Sequence, residues 1–441
     1  MAEFEPLYTA EEMKAAEAGH DVEALMERAG GAVATTIERD YPGARVVAVC
    51  GKGANGGDGR IAAQKLGGQV VEVGAELPPA DVVIDAIFGT GFHGEPREEA
   101  ARSIGAIRSA NVPVVAVDVP SGVNASSGEV SGICVDATTT VTFHGEKVGL
   151  AVAPGSLHAG NIEVVDIGLE DAETKHALVT SEIVHRLPPR GRGGNKYRSG
   201  SVLVVGGAPG LTGAVCLSAE AAFRADAGYV TVCAPRESLP IVEMRLLEAV
   251  KRPLEEAFEA AERAGALALG PGLGRGDEAR QLVRRLLEET QLPAIVDADG
   301  LFDFDPVDRE APTVLTPHSG ELARLLDVEA AWIDAHRLEA VQRALERFDC
   351  VVLLKGSDTI VAAPGARTLI STGTPRLATA GTGDVLTGIV GAFLSKGMDG
   401  QIAAATAARV HADAALASLH ARGLIASDVI AQLPGVLDAA V

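Results

Sequence analysis

The chain has 441 residues, a length that favours two domains over a single core. Hydrophobic residues make up 47% of the chain and charged residues 22%, a composition typical of globular proteins. The formal net charge of −22 argues against non-specific binding to nucleic acid or to an anionic membrane, and no apolar run is long enough to cross a bilayer.

Cysteine usage and the first residues bear on the compartment. Five cysteines are scattered along the chain, which fits reduced thiols and neither a disulfide framework nor a zinc site. The opening residues, MAEFEP, lack the basic and apolar regions of a signal peptide. We therefore expect a cytoplasmic protein that takes small-molecule substrates and assembles as a homo-oligomer.

Short β-rich runs alternate with Ala/Glu/Arg-rich stretches, a pattern that predicts parallel sheets with crossover helices and an α/β fold class. Strands are predicted first at residues 45–50, 70–73, 82–87, 114–117, 141–143 and 162–165. A second series follows at residues 201–205, 229–233, 266–269, 294–296, 313–315 and 351–354. The polar segment at residues 170–194 interrupts the pattern, so we expect domains at 1–175 and 176–441.

A glycine-rich segment, GKGANGGDG at residues 51–59, lies between a predicted strand and a helix predicted at residues 61–66. The loop after the first strand of an open α/β sheet is where phosphates and dinucleotides bind. The segment matches neither the G-x-G-x-x-G fingerprint nor a P-loop. A loop that binds phosphate and a plain glycine-rich turn both remain open.

Polar clusters follow two further predicted strands, DAIFGTGFHG at residues 85–94 and DVPSG at residues 118–122. Asn55, Asp85 and Ser121 could converge there as oxygen ligands of a monovalent cation, which leaves Asp118 free as an acid or base. Each aspartate alone is more often a cap at a strand end. Three such loops at one sheet edge favour a site.

Together with LMERAG at residues 25–30, these motifs closely resemble the NAD(P)H-hydrate epimerase domain. The resemblance implies a Rossmann-like three-layer fold that interconverts the R and S epimers of hydrated NADH and NADPH. It implies K⁺ at Asn55, Asp85 and Ser121, a catalytic role for Asp118, and substrate binding by Asp118 and by Ala54, Asn55, Gly56, Gly57, Asp58, Gly89, Thr90, Gly91, Phe92, His93, Gly94 and Glu95. This chain departs from the family at Ala54, usually a second Asn, and at His93, where some members carry Lys, so no catalytic partner is assigned to Asp118.

Further motifs follow the strands of the second half. They are NKYRSG at 195–200, GGAPGLTGA at 206–214, GPGLG at 270–274, DADGL at 297–301, TPHSGE at 316–321, KGSDT at 355–359 and AGTGD at 380–384. Nearly all of them stand directly after a predicted strand. We therefore expect a second ligand site at the carboxyl edge of a parallel sheet.

Asp384 opens an apolar run that reads as a helix, behind three small residues whose N–H groups could converge on an anion. An aspartate there takes a proton from a hydroxyl or positions Mg²⁺, or it caps the helix. A single histidine such as His318 is more often structural than catalytic. Glu321 reads first as an acidic residue in the first turn of a helix, where the helix dipole favours negative charge. Lys355 can reach a phosphate, and with Asp384 it predicts phosphoryl transfer.

This order of motifs resembles the ribokinase-like fold, and specifically the ADP/ATP-dependent NAD(P)H-hydrate dehydratases, over residues 181–434. The resemblance implies that Ala214, Gly274, His318 and Asp384 contact the hydrated nucleotide. It implies that Lys355, Gly356, Ser357, Asp358, Thr359 and Gly383 contact the adenine nucleotide. Asp384 would act as base while the substrate hydroxyl attacks the terminal phosphoryl of ADP with Mg²⁺, giving AMP and phosphate. The fusion of both domains resembles the bifunctional nicotinamide-nucleotide repair enzymes.

Two other interpretations use the same residues. A ribokinase-type small-molecule kinase needs the same Gly-Thr-Gly-Asp and lysine. The N-terminal domain could also be a non-catalytic nucleotide sensor, although intact Asn55, Asp85, Asp118 and Ser121 weigh against a degenerate domain.

Overall fold

The computed structural model describes residues 2–170, 172–189 and 199–439. The chain divides into two compact units. The N-terminal unit consists of Pro6–Ala177 with Asp334–Leu338, and the C-terminal unit contains the rest of the described chain. Within the described residues, no helix combines the length and the apolar character that a membrane span needs.

The described N-terminal part of the chain contains eight strands and five α-helices. They are β1 (Phe4–Tyr8), α1 (Ala10–Glu17), α2 (Val22–Asp40), β2 (Val46–Cys50), α3 (Ala54–Lys65), β3 (Gln69–Glu72), β4 (Val82–Ala86), α4 (Glu98–Ala110), β5 (Val114–Val117), β6 (Thr139–Phe143), β7 (Glu146–Lys147), α5 (Val148–Ala151) and β8 (Asn161–Val165). A 3₁₀ helix at Gly155–His158 precedes β8.

Six of these strands form a parallel sheet in the order β3-β2-β4-β5-β6-β8. Apolar side chains of α2 and α3 pack on one face and those of α4 on the other, which confirms the predicted three-layer arrangement. Strands such as β2 and β4 are buried at every residue, as a sheet covered on both faces requires. The strand order reverses between β2 and β4, where open α/β sheets bind their ligands.

The elements of the C-terminal part begin with a strand near the unit boundary. They are β9 (His176–Val179), β10 (Ser201–Val205), α6 (Thr212–Arg224), β11 (Tyr229–Ala234), α7 (Leu239–Arg245), β12 (Val250–Pro253), α8 (Ala257–Ala261), β13 (Ala266–Leu269), α9 (Asp277–Glu289), β14 (Ala294–Val296), β15 (Thr313–Leu315), α10 (Ser319–Leu326), α11 (Ala330–Ala335), α12 (Arg337–Phe348), β16 (Val351–Leu354), β17 (Asp358–Ala362), β18 (Thr368–Thr372), α13 (Thr382–Ser395), α14 (Gly400–Ala417) and α15 (Ala426–Asp438). The 3₁₀ helices are Ser181–Arg186, Leu254–Glu256, Ala298–Leu301 and Pro375–Leu377.

The sheet of the C-terminal unit runs β12-β11-β10-β13-β14-β15-β16-β17-β18. It is parallel as far as β16, and β17 and β18 form an antiparallel hairpin. Helix α13 is almost wholly buried and packs against α6. A Cβ at Gly388 would lie 2.2 Å from the Ser218 carbonyl oxygen, so only glycine permits this approach.

The structure differs from the sequence predictions at three places. The strands β1, β7, β9, β12, β17 and β18 were not predicted, and β9 with a 3₁₀ helix lies in the segment expected only to interrupt the pattern. Residues 54–59 are not loop, because α3 already begins at Ala54. A Cβ at Gly59 would lie 2.4 Å from the Ala86 Cβ, so these glycines let α3 pack closely, which offsets their low helix propensity.

Candidate active sites

A cavity of about 960 Å³ lies in the N-terminal unit beside the segments that follow β2, β4 and β5. The predicted site residues that line it are Ala54, Asn55, Asp58, Gly89, Thr90, Gly91, Phe92, His93, Glu95 and Asp118. Gly56 and Gly57 instead approach the Gly51 carbonyl oxygen and the Met26 sulfur. The glycine-rich segment therefore serves packing as well as the cavity.

Asp118 is held by a lysine that the sequence analysis missed. It follows β5 with a φ of 69°, and its Oδ1 lies 2.7 Å from the Nζ of Lys147. Lys147 is completely buried, and its Nζ also donates to Thr142 Oγ1 at 2.9 Å and to the carbonyl oxygens of Phe143 at 2.7 Å and Gly145 at 3.1 Å. The one signal in the sequence is a lysine placed directly before the apolar run VGLAVAP at residues 148–154.

Asp58 lies on α3 in the same cavity and is 7% exposed. Its Oδ1 is buried and has no hydrogen-bond partner among the described residues. Burial, followed by the negative charges of Asp118 and Glu17, raises the pKa of Asp58 to about 8. Asp58 is therefore mostly protonated at neutral pH.

Asn55, Asp85 and Ser121 meet around the backbone of Phe88. Both oxygens of the fully buried Asp85 accept hydrogen bonds from Ser121, from its hydroxyl at 2.6 Å and from its N–H at 2.8 Å. Asn55 Nδ2 donates to the Phe88 carbonyl oxygen at 2.8 Å, and the Phe88 N–H donates to Ser121 Oγ at 2.9 Å. Within the described residues no Lys, Arg or His forms a salt bridge with Asp85, so this set of oxygens fits a monovalent cation.

In the C-terminal unit, Asp384 is the third residue of α13. The cap residue is Gly381, at a φ of 88°, and no side chain caps the helix, so the helix-cap alternative is wrong. The Ser218 hydroxyl donates to the backbone carbonyl of Asp384 at 2.9 Å and fixes α13 against α6. Burial, followed by the charge of Asp297, raises the pKa of Asp384 to about 7, although Lys355 opposes the shift.

Lys355 lies beside Asp384 and is paired with two carboxylates. Its Nζ lies 2.7 Å from Asp297 Oδ1 and 3.7 Å from Glu321 Oε2. Burial opposes its charge, but Asp297 and Glu321 outweigh burial and raise the pKa of Lys355. A Cβ at Gly383 would lie 3.5 Å from this Nζ, so the ammonium adjoins the N-terminus of α13. The two together form a site for an anion.

Asp297 was noticed in the sequence only as part of a loop motif. It is 1% exposed, and its Oδ2 accepts a hydrogen bond from Thr387 Oγ1 at 2.6 Å, so it ties Lys355 to α13. His318 caps α10, because its Nδ1 accepts from the N–H groups of Gly320 and Glu321 at 3.0 and 3.3 Å. The side chain of His318 is nonetheless 57% exposed.

The remaining predicted residues of this unit belong to neighbouring loops. Asp299 Oδ2 accepts from the Gly274 N–H at 3.0 Å, and its charge contributes to the raised pKa of Asp384. Ala214 lies on the first turn of α6, close to Gly272. Gly356, Ser357, Asp358 and Thr359 lead from Lys355 into β17. Residues 195–198 of the NKYRSG motif lie outside the described residues.

Comparison with known families finds two matches along the chain. A family described as NAD(P)H-hydrate dehydratase matches residues 202–434. A family described as YjeF-related protein N-terminus matches residues 22–77 and 67–149. The two matches fall in the C-terminal and the N-terminal unit respectively.

Several curated relatives match across nearly their whole length. The bifunctional NAD(P)H-hydrate repair enzyme of Moorella thermoacetica is 38% identical over 486 residues, which cover 94% of this chain and 92% of the relative. The enzyme of the same name from Escherichia coli is 32% identical over 461 residues, covering 94% and 89%.

Among solved structures, the ADP/ATP-dependent NAD(P)H-hydrate dehydratase of Bacillus subtilis, co-crystallised with ATP/Mg²⁺, is similar with a TM-score of 0.55 and 28% identity. The match covers 59% of this chain and 98% of that one. A ribokinase-like superfamily protein of Enterococcus faecalis has a TM-score of 0.54 at 24% identity, covering 62% of this chain and 98% of that one. The latter shows the fold alone, and both confirm the ribokinase-like prediction.

Proposed function

The chain belongs to the bifunctional NAD(P)H-hydrate repair enzymes, and we propose that residues 1–175 carry the epimerase and residues 176–441 the dehydratase. The epimerase interconverts the R and S hydrates, and the dehydratase returns the S hydrate to NAD(P)H with ADP as phosphoryl donor. The observation that supports the second activity most strongly is Asp384 at the N-terminus of α13, beside the Lys355 ammonium.

In the dehydratase, Asp384 accepts the proton of the substrate hydroxyl while that oxygen attacks the terminal phosphoryl group of ADP. A base with a pKa of about 7 is half deprotonated at neutral pH and is well matched to this step. Lys355 and the N–H groups at the start of α13 stabilise the charge on the phosphoryl oxygens. Phosphate then leaves far more readily than hydroxide, and the dihydronicotinamide ring is restored.

Mg²⁺ would bind together with the phosphates of the nucleotide. Within the described residues, no three His, Cys, Asp or Glu side chains form a metal cluster. Mg²⁺ is commonly bound through substrate phosphates and only one or two carboxylates, so such a cluster is not needed. The carboxylates available beside the anion site are those of Asp384, Glu321 and Asp297, the last already engaged by Lys355 and Thr387. When bound, Mg²⁺ supplies neutralisation of the phosphate charge.

The binding roles remain proposals. Ala214, Gly274, His318 and Asp384 bind the hydrate, supported by the hydrogen bond that ties Gly274 to Asp299 next to Asp384. The adenine nucleotide is bound by Gly383 and by Lys355, Gly356, Ser357, Asp358 and Thr359, supported by the place of the Lys355 ammonium beside Gly383 at the N-terminus of α13 and by the direct continuation of Lys355 into β17.

In the epimerase, Asp118 acts on the substrate, and Asn55, Asp85 and Ser121 hold K⁺. The support for K⁺ is a fully buried carboxylate without a cationic partner among the described residues, next to amide, hydroxyl and carbonyl oxygens. When bound, K⁺ compensates the charge of Asp85 and stiffens the segment from Phe88 onwards. Preference for ADP, a homo-oligomeric state and a cytoplasmic location remain predictions.

The test supplies mixed NADHX epimers with ADP or ATP, with and without K⁺, and follows NADH absorbance. With ADP, we expect the wild type to convert both epimers completely to NADH. The Asp118→Asn variant should stop producing NADH once the S epimer is consumed. Omitting K⁺ should slow only the conversion of the R epimer. A stable phosphorylated product without a gain of absorbance would favour the small-molecule kinase. Equal use of both epimers by Asp118→Asn, after subtraction of spontaneous epimerisation, would remove the role of Asp118.

A further inference from the structure

We propose that Asp58 is a second catalytic residue of the epimerase, which protonates the hydroxyl that leaves the substrate while Asp118 receives a proton from the water that returns. This inference rests on the proposed epimerase function. The resemblance to the family implies only that Asp58 binds substrate, which is a weaker role than the surroundings of this side chain support.

The geometry around Asp58 favours a proton donor. Asp58 and Asp118 line one cavity, and the Oδ1 of Asp58 is buried without a hydrogen-bond partner among the described residues. The charged groups that act on Asp58 are Glu17, from α1, and Asp118, and both are negative. The nearby cation, Lys147, is instead paired with Asp118 at 2.7 Å.

The surroundings of the two carboxyl groups differ in charge. Burial and two negative neighbours raise the pKa of Asp58 to about 8, so it carries a proton at neutral pH. Asp118 forms a salt bridge and accepts a further hydrogen bond from the Thr142 hydroxyl at 3.1 Å. Two carboxyl groups in one site with opposed environments are the usual arrangement of an acid and a base.

The chemistry of the hydrate calls for such a pair. Polar addition of water to a dihydronicotinamide ring places the hydroxyl on the ring carbon bonded to nitrogen, because the nitrogen lone pair stabilises positive charge there. Asp58 gives its proton to the hydroxyl oxygen, the C–O bond breaks, and its electron pair leaves with water as the nitrogen lone pair forms the C=N bond. Water then adds to the opposite face and loses a proton to Asp118. Transfer of that proton through solvent back to Asp58 completes the cycle without net change in protons or electrons.

The test measures epimerisation alone, by chromatography of the R hydrate formed from the S hydrate without nucleotide. Asp58→Asn keeps the size and neutrality of the protonated side chain, so we expect a folded protein. Its kcat should fall about 10²–10⁴-fold while KM stays within about threefold. The dehydratase activity of Asp58→Asn should be unchanged. The control is Asp40→Asn, which alters an exposed carboxylate at the end of α2, and its activity should also be unchanged.

A pH profile separates proton transfer from binding. For the wild type we expect kcat/KM to fall above about pH 8, because Asp58 loses its proton there. Glu17→Gln removes a negative charge that raises the pKa of Asp58, so this fall should begin at a lower pH. A change in KM with kcat preserved would make Asp58 a binding residue only and overturn the proposal, as would full activity of Asp58→Asn. A wild-type protein without epimerase activity would instead refute the proposed function itself.

Discussion

The two sites are built on the same pairing of an aspartate at a strand end with a lysine, which is fully buried in the N-terminal unit and partly buried in the C-terminal one. In the N-terminal unit Lys147 contacts Asp118 at 2.7 Å, and in the C-terminal unit Lys355 contacts Asp297 at the same distance. Each pair joins segments that are remote in sequence, and each lysine carries further oxygen neighbours. The pairs therefore serve the same physical purpose, which is to place a charged aspartate and its cation together beside a ligand site.

What differs is the relation of the lysine to the second aspartate of each site. Burial, followed by the negative charges of Asp118 and Glu17, raises the pKa of Asp58 to about 8. The positive charge of Lys355 acts on Asp384 and partly offsets the effect of burial, so the pKa of Asp384 is about 7. The charge of Lys355 thus lowers the pKa of the second aspartate of its site, whereas no lysine contributes to the pKa shift of Asp58.

The largest expected effect tests whether the two sites work independently. Asp384→Asn removes the base, so nucleotide-dependent conversion of the S hydrate should fall about 10²–10⁴-fold. Epimerisation, followed by chromatography, should persist. Asp277→Asn, an exposed carboxylate in the first turn of α9, is the matched control. Dehydration near the wild-type rate would refute the role of Asp384.

Breaking the lysine pair of the N-terminal unit should cost both stability and activity. Lys147→Met removes the buried cation that pairs with Asp118 and leaves this carboxylate without its countercharge, so we expect a loss of about 3–5 kcal/mol in the unfolding free energy of this unit. Epimerisation should fall and dehydration persist. Urea denaturation and both assays check this, with Lys355→Met as the counterpart that should lose dehydration instead. An unchanged urea midpoint for Lys147→Met would contradict the structural role of the pair.

The pH profile of dehydration sharpens the contrast between base and acid. Because Asp384 must be deprotonated, kcat/KM with ADP should fall about tenfold per pH unit below about pH 7. Asp299→Asn removes a negative charge that raises the pKa of Asp384, so the acid limb should move to lower pH. A limb that stays in place would mean that another group controls the rate.

The last effect concerns the pH dependence of stability. The pKa of Asp58 is about 8 in the folded chain against 3.8 in the unfolded one, so the folded state binds more protons between these values. Stability is therefore lost as pH rises from about 4 to about 8, and Asp58→Asn should remove that loss. The Tm advantage of the variant should grow across this range, by roughly 2–4 °C per kcal/mol. An advantage independent of pH would contradict the raised pKa.

Much of the sheet structure was predictable because its signals are local. Short runs of Val, Ile, Leu and Ala that end in glycine or aspartate read as buried parallel strands, and the central strands of both units lie where such runs predict them. The short strands β1 and β7 were missed because they pair with each other across a long stretch of sequence, whereas the hairpin β17–β18 was missed although its two strands are neighbours in sequence. The predicted start of α3 was wrong because glycines that weaken an isolated helix allow this helix to pack closely against Ala86 of β4.

The sequence by itself determined the α/β class, and it predicts two sites with Asp118, Asp384 and Lys355 as their chemically active residues, because these predictions follow from motifs at strand ends. Only the tertiary structure decided that Lys147 pairs with Asp118 and that Asp58 forms no salt bridge with any of the described residues. Protonation depends on burial and on charges brought together by neighbouring strands, and neither is written in local spacing. The assignment of acid and base therefore belongs to the fold.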